Sequence, residues 1–158
     1  LSLNNNVLSH SIMTSCSIKS KIVSLDEKEY GIRELLNFGH TFGHALELVS
    51  GYSKKINHGE AIFIGMFLAL KFSCFLGFCN SKLVKLYSDH LENLGILYKL
   101  KDYNISITTK KFIELLKYDK KVKANKIKFI LLKDIGKSFS YTIEDEKILS
   151  KFFKENLE

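Results

Sequence analysis

Apolar positions divide the chain into helical stretches and one short pair of strands. From about Lys28 to Ser50 they recur at helical spacing, and Gly51-Tyr52 is placed to end that helix. A loop through Lys54, Lys55 and Asn57 leads to a run from about Gly59 to Phe78 that is apolar on all sides. A helix without a polar face belongs in the centre of a bundle. Leu83, Leu86, Tyr87, Leu91 and Leu94 predict a third helix from about Ser81 to Leu94. Thr108 or Thr109 suits the cap of a fourth, running to about Tyr118 with Phe112, Leu115 and Leu116 inward. The period then changes. Residues 126–132 and 138–142 read as two short strands around Gly136, and Glu144 to Asn156 returns to helix behind an acidic first turn. The polar opening, Ser2 to Ser20, is the one linker-like stretch, so the first clear element starts at Lys28. The predicted fold class is mainly α, a helical bundle with one small β-hairpin near residues 126–142. It lacks the βαβ alternation that would house a dinucleotide site.

Composition narrows the classes without changing this picture. A length of 158 residues allows one domain or one half of a larger enzyme, and 46% hydrophobic content excludes general disorder. The charge of +7 suggests a nucleic-acid partner, but the only arginine is Arg33 and the lysines are scattered rather than clustered. No nucleic-acid partner is therefore expected. Cys16, Cys74 and Cys79 lack metal or redox spacing and read as reduced, mostly buried thiols of a cytoplasmic protein. Ala61 to Cys79 is long enough to span a bilayer, yet Lys71 lies at its middle, which favours a core helix over a membrane span. The start at Leu1 suggests a fragment or a processed piece.

The chemistry concentrates between Glu29 and Glu47. On a continuous helix with Arg33 at zero, Asn37 falls at about +40°, His40 at about −20° and His44 at about +20°. Glu29 and Glu47 both fall near −40°, at roughly 100° per residue. The stripe carries no lysine, unlike the other polar faces, while Phe38, Phe42, Ala45, Leu46 and Val49 cover the opposite side. A solvated face is the plain alternative. Gly39 and Gly43 sit where another backbone or a ligand could approach closely. Two histidines at i and i+4 suit one metal ion, although that spacing also occurs by chance. Farther on, His58 opens the buried helix, where backbone N–H groups favour anions; a cap or a packed ring is the plain reading there.

Taken together, Arg33-x3-Asn37-Phe38-Gly39-His40-Thr41-Phe42-Gly43-His44-Ala45-x-Glu47, then Gly51-Tyr52 and His58-Gly59-Glu60-Ala61, resemble 3-dehydroquinate synthases. Lys19-x2-Ile22-Val23-x2-Asp26-Glu27-x-Glu29-x-Gly31 upstream, and Asp119-Lys120-Lys121 and Ile135-Gly136 downstream, resemble the same family in register. The resemblance implies conversion of 3-deoxy-D-arabino-heptulosonate 7-phosphate to 3-dehydroquinate and phosphate, in the shikimate route to aromatic compounds. NAD takes and returns a hydride, phosphate is eliminated, and an aldol step closes the ring. It implies a divalent metal, usually zinc and in some cases cobalt, held by one glutamate and two histidines. By position His40 and His58 would be those histidines, the glutamate lying upstream of this chain.

Lys19, Arg33 and Lys120 (or Lys121) match positions that bind the substrate's carboxylate and phosphate. Asn37 and His44 match positions that hydrogen-bond substrate and relay protons, and Glu29 a supporting carboxylate. Family members are roughly twice as long, with an N-terminal NAD-binding α/β domain. The chain therefore reads as the single C-terminal helical domain, 1–158, partnered by that half and by a sugar phosphate, and inactive in isolation. A homodimer is common in the family.

Two rivals stand beside this reading. Related sugar-phosphate cyclases share the plan, but commonly differ at the positions of Lys19, Asn37 and His44. A non-catalytic helical remnant or scaffold is the other, and there drift would have broken some of the stripe.

Overall fold

The computed structural model describes residues 4–50, 56–118 and 126–156. Two compact units divide the chain, residues 1–36 and residues 37–158.

The first unit is built on α1, Asn5–Leu25, capped by the Asn4 side chain accepting from the Asn6 N–H at 3.0 Å. This corrects the reading of Ser2 to Ser20 as linker-like. Serine, threonine and asparagine compete with the helical backbone for hydrogen bonds, so such a segment scores poorly as a helix. Here the competition is absorbed locally: the Ser11 hydroxyl donates to the Val7 carbonyl at 2.9 Å. No residue of α1 is buried.

The continuous helix expected from Lys28 to Ser50 is also corrected. Asp26 caps α1 and draws the next segment into a turn. A 3-10 stretch, Ile32–Asn37, follows, and α2 begins only at His40, running His40–Val49. Gly39 precedes it with φ +82°, a left-handed conformation that breaks helical continuity and favours glycine. The expected terminator, Gly51-Tyr52, lies outside the described residues.

In the second unit, α3, His58–Phe75, is the central helix. It buries Ala61, Ile64, Leu68, Ala69, Leu70 and Phe72, as an all-round apolar helix should. Around it lie α4 (Ser81–Asn93), α5 (Thr109–Tyr118) and α6 (Glu146–Asn156), close to their predicted ranges. Strands β1 (Ile127–Asp134) and β2 (Lys137–Ile143) form the expected antiparallel hairpin, pairing Phe129 with Tyr141. The core is aromatic. Phe42 of α2 meets Phe129 of β1 at 5.0 Å between ring centroids, Phe72 of α3 meets Phe152 of α6 at 4.7 Å, and Phe112 of α5 meets Phe153 at 4.9 Å. Buried Ser73 joins helix to hairpin, its hydroxyl donating to the Ala69 carbonyl at 2.7 Å and accepting from the Leu132 N–H at 3.1 Å. The cysteines depart from expectation: Cys16 is exposed, and Cys74 and Cys79 are half-buried thiols.

Where α2 crosses α3 the backbones touch. A Cβ on Gly65 would stand 2.2 Å from the Gly39 carbonyl oxygen and 2.8 Å from the Gly43 nitrogen. One on Gly43 would meet the Ile62 Cδ1 at 2.7 Å and the Ala61 carbonyl oxygen at 3.2 Å. Replacing a helical glycine by alanine ordinarily gains about 0.5–1 kcal/mol. At Gly65 the sign reverses. Gly65→Ala is expected to lose about 1–3 kcal/mol through overpacking against backbone that cannot yield, read as a fall in the denaturant midpoint at unchanged slope.

Candidate functional site

In the first unit Glu29 and Arg33 are set by one carboxylate. Asp26 accepts the N–H groups of Tyr30 (2.9 Å), Gly31 (2.8 Å) and Arg33 (3.0 Å). These backbone bonds, Tyr30 first and then Arg33, hold the Asp26 carboxyl below its ordinary value. The turn so formed carries Glu29, half-buried and left-handed at φ 57°, and Arg33, whose Nη1 donates to the Glu27 carbonyl. A left-handed non-glycine residue is strained and persists only where its surroundings fix it. Lys19 is exposed on α1. Asp26 entered the sequence reading only within the matched run. Its organising role has no periodic signal, because the contacts run from a side chain to backbone up to seven residues away.

In the second unit the glycine crossing brings three histidines together. The His40 ring lies 5.6 Å from His44 and 5.9 Å from His58, and His44 lies 6.2 Å from His58, between centroids. His40 and His44 are one turn apart on α2, and His58 is the first residue of α3. The cap of α3 is Asn57 rather than His58. Its side chain accepts from the Glu60 N–H at 3.0 Å, while Glu60 accepts from the Asn57 N–H at 2.7 Å. His58 is thereby released from capping, and its side chain remains 59% exposed.

Two ring orientations are defined. His58 Nδ1 lies 3.0 Å from Oε1 of Glu47, and His40 Nδ1 lies 3.3 Å from the Phe38 carbonyl oxygen. A carboxylate and a carbonyl accept hydrogen bonds, so in a neutral ring each contact assigns the hydrogen to Nδ1 and the lone pair to Nε2. Two imidazoles sharing a zinc ion, each nitrogen about 2.0–2.1 Å away, have centroids roughly 5–6 Å apart. The separations of His40 from His44 and of His40 from His58 both fit such a pair. Among the described residues no three of His, Cys, Asp and Glu converge on one metal position. The residues present thus fit a two-histidine share of a site rather than a whole one.

Asn37 is half-buried just before Gly39. The stripe of the sequence reading is therefore divided. His40, His44 and Glu47 share one face of α2, whereas Glu29, Arg33 and Asn37 precede that helix. Lys120 and Lys121 lie outside the described residues. A cleft of about 230 Å³ elsewhere in this unit, lined by Ile64, Phe67, Leu68, Lys71 and Tyr98 among others, holds none of the sequence-marked residues.

The family model described as 3-dehydroquinate synthase C-terminal matches residues 1–122. The chain belongs to that family. The 3-dehydroquinate synthase of Thermoanaerobacter pseudethanolicus is 42% identical over 149 residues, covering 94% of this chain and 40% of the relative. That of Pelagibacter ubique is 38% identical over 157 residues, covering 99% of this chain and 43% of the relative. The chain thus spans about two fifths of the length of these relatives. Among solved structures, 2-deoxy-scyllo-inosose synthase complexed with carbaglucose-6-phosphate, NAD+ and Co2+ superposes with a TM-score of 0.73 at 25% identity, covering 89% of this chain and 40% of that one. The mainly helical class with one hairpin is thus that of the 3-dehydroquinate synthase C-terminal domain.

The Asp26 turn is testable in isolation from activity. A carboxyl lowered in the folded state contributes order above its ordinary range and loses it as pH falls through the lowered value. Exchange at the Tyr30, Gly31 and Arg33 amides is expected to quicken, beyond its intrinsic pH dependence, on that descent. In Asp26→Ala it quickens at neutral pH by roughly tenfold, read by hydrogen exchange.

Proposed function

We propose that this chain is the C-terminal part of a 3-dehydroquinate synthase that converts 3-deoxy-D-arabino-heptulosonate 7-phosphate to 3-dehydroquinate and phosphate, with NAD bound by an N-terminal half. The observation that carries the proposal is the meeting of His40, His44 and His58, in a chain of this family, with an acceptor facing Nδ1 of two of the rings. His40 and His58 would hold the divalent metal, zinc or cobalt, with a glutamate of the other half completing the set. When bound, such an ion acts as a Lewis acid toward a substrate hydroxyl. The cobalt and NAD+ named with the related cyclase support both cofactors for this fold.

The chain's own residues supply binding and proton handling. Arg33 offers a planar fork for a substrate oxyanion, and Lys19 and Lys120 offer mobile point charges for carboxylate and phosphate. Asn37 contributes an amide that both donates and accepts. His44, whose ring centroid lies 6.2 Å from that of His58, would take and return a proton near the departing phosphate. Glu29 is the supporting carboxylate of the Asp26 turn. The chain alone would bind NAD poorly and would not turn over, because its half of the cleft lacks the nucleotide fold. The proposed setting is cytoplasmic, without nucleic acid or membrane, and a homodimer fits the family.

The structural likeness to 2-deoxy-scyllo-inosose synthase gives a second reading, a sister cyclase acting on another sugar phosphate. Lys19, Asn37 and His44 favour the dehydroquinate reading over it. Phosphate release from 3-deoxy-D-arabino-heptulosonate 7-phosphate by the full-length protein with NAD decides between them. Chelation is expected to abolish release reversibly, and His40→Ala to lower it by at least about a hundredfold. No release from folded, metal-loaded protein overturns the proposal and favours the sister cyclases.

A further inference from the structure

We infer that Glu47 is a positioning residue for the metal, acting through His58. This rests on the proposed role of His58 as a ligand and goes beyond it. Glu47 lies on the last turn of α2 and His58 on the first turn of α3, eleven residues apart. The Glu47 side chain is 20% exposed against 59% for His58. The carboxylate is therefore the better shielded partner, and the imidazole the more accessible one. Without it, the ring of His58 has a choice of rotamers and of two tautomers. With Oε1 at 3.0 Å from Nδ1, the hydrogen is held on Nδ1, the ring is oriented and the lone pair is left on Nε2, in a ring whose centroid lies 5.9 Å from that of His40. The carboxylate's negative charge, carried through the ring, also favours a cation bound at that lone pair.

The arrangement has a counterpart at the other ring. His40 Nδ1 faces the Phe38 carbonyl, an acceptor supplied by the backbone just before Gly39. One histidine is set by the main chain and the other by a side chain, so only the second is open to removal by substitution. Glu47 stands outside the phenylalanine core, which leaves the fold intact in its variants.

The test uses the full-length protein with Co(II) as probe, read by its visible absorption and by competition with a chelator of known affinity. Glu47→Ala is expected to weaken Co(II) binding by about 10–100-fold. In the metal-free protein, side-chain ¹⁵N shifts are expected to show His58 as the Nδ1–H tautomer in wild type and as an exchanging mixture in Glu47→Ala. Glu47→Gln, whose amide oxygen still accepts, restores the single tautomer. Unchanged Co(II) affinity in Glu47→Ala, or a His58 tautomer indifferent to it, overturns the inference. His58→Ala separates the two layers of argument. If it lowers affinity while Glu47→Ala does not, the positioning role alone fails. If it binds Co(II) as tightly as wild type, the metal reading fails and this inference with it.

Discussion

Helices α2 and α3 meet backbone to backbone, and the meeting of His40, His44 and His58 depends on that closeness. With Gly65 against the Gly39 carbonyl and the Gly43 amide, no side chain separates the two axes at the crossing. Any larger residue there would push the helices toward the usual interaxial distance of about 8–10 Å. His40 and His44 approach His58 because the crossing lies next to them in sequence: Gly39 immediately precedes His40, and Gly43 immediately precedes His44. A shift of one or two ångströms at the glycines would be carried directly into the imidazole separations.

Close approach needs something to hold it, and the phenylalanine cluster does so. Phe42 points from α2 into rings contributed by α3, β1 and α6, with Phe72, Phe129, Phe152 and Phe153 all within 6.4 Å between centroids. The Thr41 hydroxyl adds a bond to the Lys128 carbonyl at 3.0 Å, so α2 is tied to β1 beside the place where Phe42 packs on it. Rotation of α2 about its axis would unmake both contacts. The direction in which His40, His44 and Glu47 point is thus set by the burial of Phe42, Ala45 and Leu46 on the opposite side. Core and candidate site are two faces of one helix.

How much of this was legible in the sequence varies with the physical cause. The later helices and the hairpin were legible because burial imposes a period, 3.6 where Phe112 and Leu116 share a face and about 2 from Ile127 to Leu131. Gly39 and Gly43 were legible as close-approach positions because small residues among apolar ones have few other uses. Gly65 was hidden within an apolar run that explains itself as core. The helix α1 was missed because it buries nothing in its own unit, so its apolar Val7, Ile12 and Met13, at 62, 54 and 72% exposed, follow no inward face. The break between Leu25 and His40 was missed because its causes are one carboxylate turned onto backbone amides and one left-handed glycine. Neither interrupts the hydrophobic period. The wheel drawn through that break still grouped His40, His44 and Glu47, since all three fall after it.

The histidine pair presents a contrast between rigidity and access. His40 is half-buried on a helix locked by core and crossing, whereas His58 is exposed at a helix start. An exposed imidazole gains nothing from burial to fix its rotamer, and each freedom it keeps is lost again when a ligand binds. The capping box between Asn57 and Glu60 fixes the backbone beneath His58 without using its ring, and the Glu47 carboxylate then meets that ring from α2. Backbone order comes from within α3 and ring order from the neighbouring helix. The ring is left accessible, with its hydrogen assigned to Nδ1 by the carboxylate beside it.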